Sequence, residues 1–319
     1  MSSSAAGPAR PPVRILLPYP PEQIGRLPEL PAAVWDGRDE PPPAPVLAGV
    51  EFFVLPYLHT AAALPLLDRM PRLRVVQSLS AGVENVVPFL PPGVTLCNAR
   101  GVHDTSTAEL AVTLVLASLR GVPEFVRAQD AGVWRAGVAA SLADRTVLVV
   151  GYGSIGAAVE ERLLPFECEV LRVARTARTA PRGPVHPLAD LPGLLRRADV
   201  VVLTVPLTEA TRGLVDARFL AALKDGALLV NVGRGAVVDT DALLAEVRGG
   251  RLSAALDVTD PEPLPPGHPL WRAPNTLISP HTGGNSSAFL PRAHRLIRTQ
   301  LNRFLAGERL DNVVVAPGA

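Results

Sequence analysis

Two α/β domains, each a doubly wound parallel sheet, are the fold class this sequence predicts. Three observations predict it. Short runs rich in Val, Leu and Ile alternate with helical stretches along most of the chain. Apolar residues make up 48% of the sequence and aromatics only 4%, so the cores must be aliphatic, as in parallel strands buried on both faces. The 319 residues also exceed the size at which one hydrophobic core usually stops growing.

Residues 13–17, 50–55, 73–77 and 94–97 are apolar runs of strand length, and the proline-rich stretch at 41–45 is expected to be loop. From 106 to 117 the pattern becomes that of a long apolar helix, with Asp104 or Thr105 as the expected cap and Glu109 in its early turns. So uniformly apolar a helix is expected to be buried, between domains or at a subunit interface. Beyond Asp144, strands are predicted at 146–150, 169–173, 200–205, 227–232, 254–258 and 276–279, with helical stretches between them.

Composition excludes several functions. The formal charge is +1, no basic run stands out and Lys224 is the only lysine, so no nucleic-acid partner is expected. Cys97 and Cys168 have neither a disulfide framework nor a metal-ligand spacing, and no metal is expected. Residues 1–12 lack the apolar stretch of a signal peptide, and the longest apolar run, 110–119, is too short to span a bilayer. A cytoplasmic protein without a membrane partner is the expectation.

The predicted strand at 146–150 runs directly into Gly151-Tyr152-Gly153-Ser154-Ile155-Gly156 and then into a helix. Each glycine has its own task there: Gly151 permits a tight turn, Gly153 lets backbone approach a pyrophosphate, and Gly156 lets the helix press on the strand. The helix start at Ser154 and Ile155 offers free amides to the phosphates. This predicts a Rossmann-type dinucleotide domain. At the end of the next strand, Ala174 stands where an acid would bond a ribose 2′-hydroxyl, and Arg175, Thr176 and Arg178 follow. A guanidinium can grip a 2′-phosphate with two bonds, so NADP(H) is the preferred cofactor and NAD(H) a possible one; solvated surface arginines are the alternative.

Three further segments follow predicted strand ends, where open parallel sheets bind ligands: 231–235, 256–263 and 279–284. They bring an arginine, a carboxylate and a histidine toward one crevice. With Ser80-Ala81-Gly82-Val83-Glu84-Asn85, Thr107-Ala108-Glu109, Val205-Pro206-Leu207-Thr208 and Thr211, and with Pro263, Leu264, Pro269, Leu270, Trp271 and Pro280-His281, the chain resembles the D-2-hydroxyacid dehydrogenases over about two thirds of its length. The resemblance implies hydride transfer between a nicotinamide cofactor and C2 of a small 2-oxo or 2-hydroxy acid. Arg234 would hold the substrate carboxylate and polarise the carbonyl. His281 would touch the substrate and supply the proton, and Glu262 would orient the imidazole and favour its protonated form. The amides of Ala81 and Gly82 would bind the substrate carboxylate. Thr107, Val205, Pro206, Thr211, Val232, Gly233, Asp257 and Gly283 would lie near the cofactor, with Asp257 accepting a bond from its carboxamide.

The same resemblance implies a Rossmann-type cofactor domain, residues 104–284, inserted into a flavodoxin-like substrate domain of residues 1–103 and 285–319. Substrate would sit between them, and a homodimer would form through the long helix after Thr107. Ser78 occupies the place of an arginine found in the phosphoglycerate branch, and with Ala319 as the last residue no regulatory domain is expected. Glyoxylate or hydroxypyruvate reduction is therefore the expected activity. Formate or phosphite oxidation on the same fold is one alternative, against which the length speaks. The other is a cofactor-sensing, corepressor-like binding protein, which would not need the intact arginine, glutamate and histidine.

Overall fold

The computed structural model describes residues 14–27 and 31–316; Val13, the leader reading of 1–12 and the tail at 317–319 lie outside the described residues. The chain divides into two compact units, Met1–Val102 with Ala288–Ala319, and His103–Ser287. It first lays down β1 (Ile15–Leu17), β2 (Ala32–Val34), β3 (Phe52–Val54), β4 (Val75–Gln77) and β5 (Thr95–Cys97). The second unit holds β6 (Thr146–Val150), β7 (Glu169–Ala174), β8 (Arg178–Ala180), β9 (Gly183–Pro187), β10 (Val200–Leu203), β11 (Leu228–Asn231), β12 (Ser253–Leu256) and β13 (Thr276–Ile278). The chain then returns for β14 (Val313–Val315).

In the first unit the strand order is β14-β5-β4-β3-β1-β2, with only β14 antiparallel to its neighbour. Without β14 this is the 2-1-3-4-5 order of flavodoxin-like sheets. In the second unit the order is β13-β12-β11-β10-β6-β7-β9-β8, and only the β8–β9 hairpin is antiparallel. The chain reverses direction across the sheet between β6 and β10, so the crevice beyond their carboxyl ends is the topological switch point.

Both sheets are buried on both faces, and the period of two in side-chain direction sorts their residues. Leu148, Val150, Val201, Leu203, Leu229 and Leu256 enter one apolar cluster, while Val147, Val149, Val200, Val202, Leu228 and Val230 enter the cluster on the other face. In the first unit Leu16, Phe53, Val76 and Leu96 alternate in the same way with Ile15, Leu17, Phe52, Val54, Val75 and Cys97. Each such side chain contributes about 1.5–3 kcal/mol of burial. Burial also pushes the Cys97 thiol up to about 11.

Several local expectations need correction. The stretch at 41–45 is not all loop: Ala44–Leu47 is a short helix with Pro45 in its first turn. Proline is tolerated there because the first amides of a helix have no intrahelical partner. The long helix spans Asp104–Arg120, and its N-cap is His103, not Asp104 or Thr105; the Ser106 hydroxyl donates to the His103 carbonyl. Its buried residues, among them Thr107, Ala108, Ala111 and Val115, face its own unit, where the helix packs on the helix Ser154–Leu163 and on β11 and β12. The expected strand at 200–205 stops at Leu203, which leaves Val205 and Pro206 in the loop beyond it.

A buried amide network braces the first unit. Gln77, at the end of β4, and Gln300, in the helix Phe289–Ala306, are both fully buried. Gln300 Nε2 donates to Gln77 Oε1 at 2.7 Å and to the Asp311 carbonyl at 2.9 Å, and its Oε1 accepts from the Asp311 amide at 2.9 Å. Gln77 Nε2 donates in turn to the carbonyls of Ser78 (2.7 Å) and Asn98 (3.1 Å). Gln300→Leu keeps the volume but strips these groups of partners, and a buried polar group left unsatisfied costs about 1–3 kcal/mol. We expect urea unfolding to register a loss of about 2–4 kcal/mol, summed over those groups. An unchanged midpoint would mean that the network does not brace the unit.

Candidate active site

The glycine-rich turn closes the end of β6. Gly151 has a φ of +107°, and a Cβ there would lie 2.6 Å from the Val205 amide nitrogen, so two strand-end loops meet backbone to backbone. A Cβ on Gly156 would strike the Gly151 carbonyl at 2.8 Å, whereas one on Gly153 would meet only that carbonyl, at 3.9 Å. The surface over Gly153 is therefore open. The helix Ser154–Leu163 starts there with no side chain capping its first amides, which Ser154 and Ile155 help to present. An open backbone surface, uncapped amides and a positive dipole end fit a pyrophosphate.

Beyond β7, Arg175 and Thr176 are exposed, and Arg178 opens β8. The Arg178 guanidinium donates to the Tyr152 carbonyl inside the glycine turn, which brings the expected phosphate-gripping arginine to the cradle itself. Val205 and Pro206 follow β10, and a Cβ on Gly233 would meet the Val205 carbonyl at 2.7 Å. The ends of β6, β10 and β11 thus form one continuous backbone floor. Thr211 has a different local role: its hydroxyl donates to the Pro206 carbonyl at 2.6 Å and accepts from the Thr208 amide at 2.8 Å, closing the loop after Pro206.

The three chemical side chains sit on neighbouring strand-end loops of this unit. Asn231, the last residue of β11, accepts from the Gly233 amide at 3.0 Å and donates to the Arg234 carbonyl at 2.9 Å, fixing the loop that carries Val232 and Arg234. The half-buried Arg234 guanidinium donates to the Gly233 carbonyl at 2.8 Å. One strand over, the Asp257 carboxylate is buried, and it accepts from the Ser279 hydroxyl (2.6 Å) and from the amides of Thr282 and Gly283 (2.9 Å each). The Asp257 carbonyl also accepts from the His281 amide at 2.8 Å. A Cβ on Gly283 would press on both Asp257 and the buried Thr107, at 2.9 and 3.4 Å, so those three positions are packed together.

His281 itself has a left-handed backbone, φ +51°, and its Nδ1 is hydrogen-bonded to Glu262 Oε1. That bond, with the glutamate's charge, raises the imidazole above the ordinary histidine range; partial burial and the positive charge of Arg234 oppose it, and Asp257 adds to it. Arg234 is thus near enough for its charge to act on the ring. Among the described residues no group of three or more His, Cys, Asp or Glu side chains is arranged to hold a metal ion.

Ala81 and Gly82 belong to the other unit. Their loop is held by Asn98, whose Nδ2 donates to the Ala81 carbonyl at 2.8 Å, and by the Ser78 hydroxyl, which accepts from the Ser80 amide at 3.1 Å. Four of the remaining histidines have hydrogen-bond partners: His59 accepts from Arg38, His103 meets the Gly284 carbonyl, His186 pairs with Asp190 and His268 accepts from the Leu270 amide, while His294 packs edge-on against Tyr19. Sequence reasoning missed the supporting residues Asn231, Ser279 and Asn98. For Ser279 and Asn98 the signal available was a polar residue that ends or directly follows a predicted strand, and for Asn231 a polar residue inside the apolar run at 227–232.

Comparison with known proteins gives consistent results. Residues 112–283 match the family model described as D-isomer specific 2-hydroxyacid dehydrogenase, NAD binding domain. A glyoxylate/hydroxypyruvate reductase B from Pectobacterium atrosepticum is 37% identical over 68% of this chain and 71% of its own length. A D-isomer specific 2-hydroxyacid dehydrogenase from Xanthobacter autotrophicus, solved with NADPH and MES, is 31% identical, covers 96% of this chain and 98% of its own, and superposes with a TM-score of 0.79. An NADPH-dependent glyoxylate/hydroxypyruvate reductase from Sinorhizobium meliloti, solved with NADP and sulfate, is 28% identical over 95% of this chain and 98% of its own, with a TM-score of 0.80.

The His281–Glu262 pair makes a prediction that needs no ligand. Because the folded-state pKa is raised, the pair's contribution to stability is full below the unfolded histidine value and is lost as pH rises through the folded one. In Glu262→Gln the His281 ring should titrate at a lower pH than in the parent, followed by NMR of its carbon-bound protons. An unchanged titration would mean that the two side chains do not meet in solution.

Proposed function

The chain belongs to the D-isomer specific 2-hydroxyacid dehydrogenase family, and from that premise we propose that it reduces glyoxylate or hydroxypyruvate with NADPH. The observation that carries the chemistry is the hydrogen bond from Nδ1 of His281 to the Glu262 carboxylate, with Arg234 close by. It leaves Nε2 to hand over a proton and favours the charged form of the ring. When bound over the glycine floor, the reduced nicotinamide supplies the hydride. Arg234 pairs with the substrate carboxylate and polarises the C2 carbonyl, and Glu262 stabilises the imidazolium until the proton leaves.

NADP(H) is favoured over NAD(H) because no acidic side chain stands at Ala174, while Arg175, Thr176 and Arg178 follow. The NADP complexes of the Xanthobacter and Sinorhizobium relatives support this reading. The glyoxylate/hydroxypyruvate reductases among the relatives support the substrate. We take the twofold dimer to form through the long helix after Thr107, and exposed apolar residues just beyond that helix support it. Phe125, Val126, Val133 and Trp134 expose 46, 53, 58 and 95% of their surface, a contiguous stretch of sequence that a second copy could cover. Light scattering would find twice the chain mass, and a monomer at working concentration would contradict it. The two free thiols suit a reducing cytoplasm.

The test is a panel of 2-oxo acids against both reduced cofactors. Glyoxylate or hydroxypyruvate with NADPH should give the highest kcat/KM; turnover of another 2-oxo acid with neither of these would overturn the substrate assignment. In His281→Asn we expect kcat to fall about 10²–10⁴-fold, the usual contribution of a general acid, with NADPH affinity unchanged. Wild-type turnover would mean that another group supplies the proton.

A further inference from the structure

The residue between the first two glycines of the turn is not a spacer. The Tyr152 side chain is buried at 6% exposure, and its hydroxyl donates to the carboxylate of Glu160, itself fully buried in the helix Ser154–Leu163. The same carboxylate takes two bonds from Arg172 of β7, which is 8% exposed. Two guanidinium carbons, those of Arg172 and Arg178, lie 5.9 Å from the centroid of the Tyr152 ring. Arg178 also donates to the Tyr152 carbonyl. A Cβ on Gly183, the first residue of β9, would come within 3.3 Å of Arg172 Nη1, so the hairpin that carries Arg178 rests on this buried cluster.

We propose that Tyr152 is a positioning residue for cofactor choice: clamped by Glu160 and Arg172, it holds the Arg178 guanidinium beside the glycine turn in the orientation a ribose 2′-phosphate requires. The inference rests on the reading of NADP(H) as the preferred cofactor. Its physical basis is preorganisation. Arg178 stands on the outermost strand of the sheet, at the start of a three-residue strand, where a long charged side chain would otherwise sample many rotamers. The electron-rich ring face and the turn carbonyl select one region for it. NADH has no 2′-phosphate, so loosening Arg178 should leave its binding alone. A residue that only supported the turn would affect both cofactors, because the pyrophosphate is common to them.

The experiment measures dissociation constants of NADPH and NADH by nicotinamide fluorescence on the full chain. Arg178→Ala should weaken NADPH about tenfold or more, the loss of one charge-assisted bond, with NADH within about twofold. Tyr152→Leu should reproduce that selective loss, Tyr152→Phe, which keeps the ring, should retain most of the selectivity, and the Tyr152→Leu, Arg178→Ala double variant should lose no more than Arg178→Ala alone. Tyr152→Leu weakening both cofactors equally, or neither, overturns the positioning role while leaving the cofactor reading intact. Arg178→Ala without a selective effect overturns the cofactor reading and the inference with it. Should Tyr152→Leu fail to fold, Tyr152→Met decides. It fills the buried space without an aromatic face or a bond to Glu160, so it should lose NADPH affinity selectively, and equal weakening of both cofactors, or of neither, would overturn the proposal.

Discussion

The buried carboxylate of Asp257 is the constraint on which the reactive end of this unit depends. Its two oxygens receive a hydroxyl and two amides from the loop after β13, and its backbone carbonyl receives a third amide, that of His281. A left-handed backbone costs a residue with a side chain about 1–2 kcal/mol, and His281 adopts one. The bonds to Asp257 on either side of that residue offset the cost, and the imidazole is turned toward Glu262 as a result. An acid is suited to this task because it only accepts, and every partner it meets here donates.

The same logic is repeated one strand away with a different side chain. Asn231 must both accept from Gly233 and donate to Arg234, which an amide can do and a carboxylate cannot. β11 and β12 are in parallel register, Asn231 opposite Leu256, so the two anchors, Asn231 and Asp257, stand one residue apart along neighbouring strands. Guanidinium and imidazole are therefore set by strand register as much as by their own loops. The cofactor side is built by close backbone approach instead: Gly151 against Val205, and Gly233 against the Val205 carbonyl. Polar anchoring fixes the reactive groups, and absent side chains make room for the dinucleotide.

Much of this was readable in the sequence, for a physical reason. A doubly wound sheet presents its functional loops at strand ends, so Val/Leu runs followed by Gly151, Arg234 and His281 reveal both fold and site. What was not legible arises from tertiary pairing or from weak local signals. Gln77 and Gln300 stand 223 positions apart, and neither is distinguishable from a surface glutamine without coordinates. The β8–β9 hairpin contains Pro184 and Pro187 and no regular alternation, so residues 178–187 carry no strand signal although they include Arg178. The helix at Ala44–Leu47 was hidden by the prolines that start it. Tyr152 occupies a variable position of a glycine motif, and only the burial of Glu160 and Arg172 beside it reveals a role.

In the proposed reaction the reduced cofactor would supply hydride to one face of C2 of a 2-oxo acid while His281 protonates the oxygen. NADPH deuterated at the transferable C4 position, incubated with hydroxypyruvate, tests it most directly. The expected product is D-glycerate with deuterium at C2. Glycerate of the opposite configuration, or glycerate without the label, would contradict the claim.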